Sequence, residues 1–212
     1  MSENQTPTRP NPEFAVAATR EQLESVAEAL RSHGMQVLIA SGRDEAKQLI
    51  LGRLPDGAQV HQGASITLET IGVTRESEQS GRYNAVRPQA RAMDRETQMD
   101  EIRRLAASPD YMLGSVHAVT EDGSLVMVSA TGSQIGPHAS GAGKTILAVG
   151  SQKVVPDLET ARRRIREYVY PLEDERMQKA SGAHSAINQI LIISGDRLGR
   201  ITVVLIDEVL GF

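Results

Sequence analysis

Apolar residues recur along this chain with two spacings, and the spacings alternate. After Thr19, which begins a T-x-x-Q capping pattern, apolar residues follow at helical spacing up to Gly34. An apolar run at 35–40 is typical of a buried strand, a helical pattern returns at 44–54, and 58–61 predicts a second strand. This order of helix, strand, helix and strand predicts a parallel sheet with helical crossovers.

The centre of the chain predicts a tight β-hairpin. Apolar and β-branched runs at 115–121 and 124–129 flank Asp122 and Gly123, which supply the positive φ angles that a two-residue turn needs. Such a turn places Glu121 opposite Ser124 and separates the side chains into two faces. One face is predicted to carry His117, Val119, Val126 and Val128, and the other Ala118, Leu125, Met127 and Ser129.

Between 73 and 93 the apolar pattern fades. The segment is charged and is broken by Gly81 and Pro88, so it predicts a long loop, either a lid or an arm that reaches a second subunit in a homo-oligomer. Regular patterns resume afterwards and predict a helix at 94–107, a strand at 145–149, a long helix capped by Asp157, and strands at 190–194 and 201–207.

Together these elements predict an α/β fold built on an open, mostly parallel sheet with helices on both faces and an antiparallel hairpin at 115–130. Residues 13–212 contain no break in composition that suits a linker, so we expect one domain. Residues 1–12 are polar and rich in proline, which predicts a disordered tail.

Composition excludes several classes of function. A net charge of −4 and 3% aromatic residues offer neither the positive field nor the stacking surfaces of a nucleic-acid-binding protein. The absence of cysteine excludes disulfides, thiolate nucleophiles and an iron–sulfur cluster held by this chain's own thiolates. Scattered histidines and the lack of a G-x-G-x-x-G fingerprint predict no metal site and no bound flavin or other cofactor.

No apolar run approaches the ~20 residues of a membrane span, and the N-terminus has no apolar signal region. A cytoplasmic protein without a membrane partner is therefore expected. Two catalytic motifs are also missing. The sequence SGAGKT (140–145) resembles the end of a P-loop, but His138 occupies the position of the first glycine and a strand follows. The G-x-S-x-G motif of serine hydrolases is absent.

Polar residues follow two predicted strands at their carboxyl ends. In a doubly wound sheet these ends form the ligand crevice, where backbone N–H groups and hydroxyls can hold an anion. The alternative is structural: a capped turn with Ser65 or Thr67 as N-cap after the first strand, and a polar turn after the second. The predicted ligand-binding residues are Gly63, Ser65, Thr67, Thr131, Gly132, Ser133 and Gln134, with Glu69 or Glu121 as a catalytic acid or base.

Arginines 162, 163, 164 and 166 form a positive run on the helix after Asp157. The apolar stripe of that helix leaves all four outside, which predicts a solvated face with ion pairs rather than an anion site.

Five segments of the chain resemble the LUD-domain family, which includes lactate utilization protein C. They are GASITLETIG (63–72), LGSVHAVTEDG (113–123), SATGSQ (129–134), VGSQKVVPDLETARRRIREYVYPLEDER (149–176) and RITVVLIDEVLGF (200–212). The resemblance runs from about Gly34 to Phe212. It implies the open α/β fold of the superfamily of ribose-5-phosphate isomerase and CoA transferases, in agreement with the predicted elements.

The resemblance leaves three functions open. Some LUD-domain proteins work with iron–sulfur subunits in lactate oxidation, and a chain without cysteine would be an accessory, cluster-free subunit that binds a small anionic ligand. Alternatively, the polar loops and nearby acids could serve a stand-alone isomerase or transferase acting on a phosphorylated or CoA-linked molecule. A small-molecule-binding regulator would use the same pocket without chemistry.

Overall fold

A computed structural model describes residues 9–212. The strands are β1 (Gln36–Ala40), β2 (Gln59–Gln62), β3 (Asn84–Ala85), β4 (Tyr111–Gly114), β5 (Ala118–Thr120), β6 (Leu125–Ser129), β7 (Lys144–Gly150), β8 (Val154–Val155), β9 (Gln189–Ile193) and β10 (Ile201–Ile206). The helices are α1 (Arg20–Ser32), α2 (Arg43–Leu51), α3 (Ile66–Thr70), α4 (Val73–Gln79), α5 (Val86–Ala92), α6 (Met99–Ala107), α7 (Leu158–Arg164) and α8 (Tyr170–Ser181).

Six strands form a wholly parallel sheet in the order β1-β10-β7-β4-β2-β3. Every residue of β10, at the second position, is buried, because helices cover both faces of the sheet. One face packs against α2, α3 and α4 through Ile50, Leu68 and Val73, and the other against α1 through Leu23 and Leu30. The predicted α/β class and the parallel sheet are confirmed.

The predicted hairpin lies in a second, mixed sheet of order β8-β5-β6-β9. Its register is one residue away from the prediction, because Ala118 pairs with Val126 and Val119 pairs with Leu125. The turn therefore contains three residues, with Gly123 in the left-handed region at φ 88° as the third. The predicted faces are wrong as a result: Val119, Leu125 and Met127 pack towards α1, whereas Ala118, Val126 and Val128 pack towards α7.

The segment 73–93 is not the predicted loop. It forms α4, the short edge strand β3 and α5, with Gly81 in the left-handed region between α4 and β3. Pro88 lies in the first turn of α5, where its missing N–H leaves no intrahelical hydrogen bond unmade. Buried Val73 and Val86 fix the segment to the core.

The helix capped by Asp157 consists of three consecutive segments. The Asp157 carboxylate accepts from the Thr160 N–H (2.7 Å), and α7 then passes through a π-helical turn at Ile165–Val169 into α8. Pro171 follows directly, in the first turn of α8. The prediction that Arg164 lies outside is wrong, since this side chain is fully buried.

The N-terminal residues of the described range pack on this long helix. Asn11 donates from its backbone N–H to the Glu167 carbonyl (2.8 Å), and Pro12 begins a short 3₁₀ turn that buries Phe14. The remainder of the predicted tail, residues 1–8, lies outside the described residues. Among the helices of residues 9–212, none has the length and apolar character needed to cross a bilayer.

Candidate functional site

A cavity of about 380 Å³ opens between the two sheets and the long helix. It lies past the carboxyl ends of β2, β4 and β7, the edge at which α/β sheets place their ligands. Strand β6 and the N-terminal half of α8 complete the wall, together with 184–187 and Phe212. The two polar loops predicted from the sequence both reach this cavity.

The structure brings most of the predicted binding residues together. Gly63, Ser65, Thr67, Thr131, Ser133 and Gln134 all line the cavity. Gly132 lies in the second loop but packs against the Gln189 amide. The N-cap of α3 is Ser65, whose hydroxyl accepts from the Leu68 N–H (3.3 Å), while Thr67, two residues further along, is buried.

The two acidic residues predicted as acid or base are separated. Glu69 lines the cavity from α3 and is exposed at its mouth. Glu121 lies in the hairpin turn beside Glu21, Gln22 and Ser25 of α1, away from the cavity. The structure therefore leaves Glu69 as the predicted acid that a ligand in the cavity can reach.

Lys153 closes the inner end of the cavity. It lies in the 3₁₀ turn after β7 and is only 2% exposed. Its Nζ donates to the Thr67 hydroxyl (3.1 Å), the Ser115 hydroxyl (2.9 Å) and the Val116 carbonyl (3.0 Å). Burial, assisted by nearby Arg164, lowers the pKa of Lys153 well below its usual value, while three acceptors favour the charged form.

Arg164 is a second buried cation behind the cavity wall. Its guanidinium donates to the carbonyls of Gln152 (3.3 Å) and His117, and it lies over the ring of Tyr168, 5.2 Å from the centroid. Burial lowers its pKa to about 10, so it remains charged at neutral pH. All of these partners are uncharged, as are the three partners of Lys153, so neither positive charge is neutralised by its hydrogen-bond partners.

His117 contributes a neutral imidazole to the same wall. The Val128 N–H donates to its Nδ1 (3.0 Å), so the ring proton resides on Nε2. Burial, with Lys153 and Arg164 adding to it, lowers the pKa of His117 to about 3. His117 and Ser129 both line the cavity, contrary to the separation predicted from a two-residue hairpin turn.

Polar side chains from α8 and from the segment that follows it lie around the mouth. Arg176 makes two parallel hydrogen bonds to the Glu173 carboxylate, each 2.7 Å. Asp174 accepts from His184 Nδ1 (3.1 Å) and from the Ser185 N–H (2.7 Å), and these contacts hold its pKa below the usual range. The mouth therefore carries the Arg176 guanidinium, held by Glu173, and the His184 imidazole, held by Asp174.

Lys153, Arg164 and the α8 residues were not among the predicted site residues. A usable signal existed for Lys153, because it follows β7 at the same sheet edge as the two polar loops. No comparable signal marks Arg164, which belongs to an arginine run whose other members are exposed or partly exposed. Within residues 9–212, no group of three or more His, Asp or Glu side chains is arranged to hold a metal ion.

Comparison with known proteins gives a matching family and solved structures of similar fold. The LUD domain family matches residues 23–211. A crystal structure of a DUF162 family protein from Deinococcus radiodurans is similar in fold, with a TM-score of 0.55 and 11% sequence identity over 88% of this chain and 96% of that one. A search of curated proteins found no significant match. At 11% identity, the related structure supports the fold alone.

Proposed function

Because this chain belongs to the LUD domain family, we propose that its cavity binds the carboxylate of a small organic acid and that the protein is a cluster-free subunit in the oxidation of lactate or a related acid. The observation that carries the binding site is a pair of buried basic side chains whose hydrogen-bond partners are all neutral: Arg164, which is charged at neutral pH, and Lys153, which a carboxylate bound beside it would hold in its charged form. Burial of an uncompensated charge costs several kcal/mol. An anion in the cavity would offset that cost.

The rest of the wall supports the same ligand class. His117 presents a ring N–H, and the loops of Ser65 and Ser133 add hydroxyl and backbone donors. The volume of about 380 Å³ suits a small molecule, near the lower end of the ~300–1,000 Å³ typical of ligand pockets. Lys153 is buried, so an electrostatic contact there is stronger than one at the surface.

The subunit role is supported by composition and by family. Oxidation of a hydroxy acid releases two electrons, and a chain without cysteine has no thiolates to hold an iron–sulfur cluster. A partner that carries clusters would accept those electrons. The purified chain, supplied with lactate and an artificial electron acceptor, is therefore expected to show no turnover. Turnover by the chain alone would contradict the subunit role and favour a stand-alone enzyme.

Binding can be tested by calorimetry and thermal shift with lactate, pyruvate, ribose 5-phosphate and coenzyme A. Lys153→Met keeps an unbranched side chain, one atom shorter, and removes the amine, and Lys144→Met is a matched control because Lys144 is exposed on β7. A lost charge-assisted contact of ~1.5–3 kcal/mol corresponds to a roughly 10- to 150-fold loss of affinity.

Lys153→Met is expected to lose lactate affinity by this factor. Lys144→Met is expected to bind lactate with wild-type affinity. Equal affinity in the two variants would contradict an anion site at Lys153. Binding of the phosphorylated probes with no response to lactate or pyruvate would replace the organic acid by a phosphorylated ligand.

A further inference from the structure

We infer that the Lys153 amine forms an imine with the carbonyl carbon of a 2-oxo acid bound in this cavity. This inference rests on the proposed organic-acid site and adds a covalent step to it. A 2-oxo acid carries a carboxylate beside a ketone or aldehyde carbon, and it is the product formed when a 2-hydroxy acid loses two electrons. The class therefore combines the anion that the site should attract with a carbon that an amine can attack.

The position of Lys153 distinguishes it from the other lysines of the chain. Its Nζ lies among Thr67, Ser115 and Val116, and all three of these residues line the cavity. Lys47, Lys144 and Lys179 are exposed or partly exposed. An organic acid that fills the cavity would therefore meet Lys153 as the one amine of its wall within residues 9–212.

A lysine attacks a carbonyl only as the neutral amine, and two features of the site favour that form. The side chain is removed from water, and the Arg164 guanidinium disfavours a second positive charge beside it. The neutral amine keeps two N–H donors, which suffice for the hydroxyls of Thr67 and Ser115, and gives up one donated hydrogen bond, so that its lone pair is free to attack. The hydroxyls of Thr67 and Ser115 thereby hold the nitrogen in place in either protonation state.

The step balances without an oxidant or reductant. The Nζ lone pair forms a bond to the carbonyl carbon as the π electrons move to oxygen, and one proton passes from nitrogen to that oxygen. The resulting carbinolamine loses its hydroxyl group with a second nitrogen proton as water, which leaves the C=N bond. The His117 Nε2–H, in a ring that stays neutral, can donate a hydrogen bond to the oxygen as negative charge develops on it.

Reductive trapping tests the inference on the full-length protein. Pyruvate and sodium cyanoborohydride are added at neutral pH, and peptide mass mapping then quantifies the reduced adduct at each of the four lysines. Because Lys153 is the one lysine in the wall of the cavity, a bound acid is held beside its amine, so adduct at Lys153 should exceed that at Lys47, Lys144 or Lys179 by about tenfold or more. Excess lactate, which has no carbonyl to attack, should suppress the Lys153 adduct alone.

Two results would overturn the imine. One is adduct confined to the three other lysines. The other is adduct at Lys153 no more abundant than theirs and insensitive to lactate. If calorimetry shows that lactate and pyruvate bind while no Lys153 adduct forms, the imine is rejected and the organic-acid site stands. If neither acid binds and no adduct forms, both proposals fail. The comparison uses the wild-type chain throughout, so it does not depend on a Lys153 variant that folds.

Discussion

Gly63 lies directly against Gln134, so that a methyl group added at Gly63 would overlap Oε1 of the Gln134 side chain. This contact joins the loop after β2 to the loop after β6, two segments about 70 residues apart in the sequence. Gln134 is held in turn by a hydrogen bond from Nε2 to the Val128 carbonyl (3.3 Å). The absence of a side chain at Gly63 therefore allows the two predicted loops to line one cavity.

Gly63→Ala should force the Gln134 amide away from Val128 and into the cavity. Because the clash is with the end of a flexible side chain, the cost is mainly the lost hydrogen bond of Gln134, about 0.5–1.5 kcal/mol of unfolding free energy. Gly136→Ala is the matched control, because that glycine has a right-handed helical φ and open space around it. Chemical denaturation should show the loss in Gly63→Ala alone, accompanied by weaker lactate binding. Equal stability of the two variants would show that the loops do not constrain each other.

Thr67→Val should destabilise the protein although valine has nearly the same shape. Thr67 accepts from Lys153 and donates to the Leu210 carbonyl (3.2 Å), so the change leaves a buried donor with one acceptor fewer. We expect a loss of about 1–3 kcal/mol in denaturant melts. Thr70→Val, on the exposed side of the same short helix, should remain within about 0.5 kcal/mol of wild type. Similar losses at the two positions would remove the special role assigned to Thr67.

Acid should destabilise the fold through His138. Burial, with the positive charges of His61 and Arg200 adding to it, lowers the pKa of this imidazole from 6.5 to about 4 in the folded state. The unfolded chain therefore takes up a proton first as pH falls, and stability present above pH 6.5 is lost between 6.5 and 4. Over that range the loss amounts to about 3 kcal/mol.

His138→Gln should remove this part of the pH dependence. Denaturant melts at several pH values compare the slopes of the two proteins, so a constant packing cost of the variant cancels. Above pH 6.5 the two slopes should coincide. Parallel slopes from 6.5 to 4 would show that His138 titrates alike in the folded and unfolded states.

The organisation of 13–212 as one domain stays a prediction that proteolysis can test. The sequence places its weakest pattern at 73–93, yet Val73 and Val86 are buried there, and Arg87 pairs with Glu78 (3.2 Å). We expect trypsin to leave Arg82 and Arg91 uncut in the folded protein and to cut both after heat unfolding. Release of two stable halves at these sites would contradict a single domain.

Local signals in the sequence predicted the fold better than they predicted its exact registers. Thr19 and Gln22 form the predicted capping box, because both partners lie within one helical turn. The predicted length of the hairpin turn was wrong by one residue, because Thr120, rather than Glu121, pairs with Ser124. Within the turn, the Thr120 carbonyl accepts from the Gly123 N–H. That single residue left the alternation within each strand as predicted but reversed the faces of one strand relative to the other, including the relation of His117 to Ser129.

The cavity wall was predicted where it depends on sheet topology and missed where it depends on packing between distant elements. Past the carboxyl ends of parallel strands, polar loops are recognisable from sequence, which located Gly63 and Gln134. The burial of Arg164 follows from the position of α7 beneath the second sheet, and nothing in its immediate neighbours differs from a solvated arginine run. Lys153 was detectable only by extending the carboxyl-edge rule to β7.

Because of the π-helical turn at Ile165–Val169, the side chains of α7 and those of α8 follow the helical repeat with different starting angles around the helix axis. One residue beyond the ordinary helical repeat is accommodated there, which rotates all that follows by about 100° relative to α7. Ala161, upstream of the turn, and Ile165, its first residue, pack into the core, whereas Tyr170, Glu173 and Met177 downstream of it line the cavity. The core and the mouth of the cavity can therefore change independently: a one-residue deletion within the turn would preserve the packing of α7 and turn a different face of α8 towards the ligand.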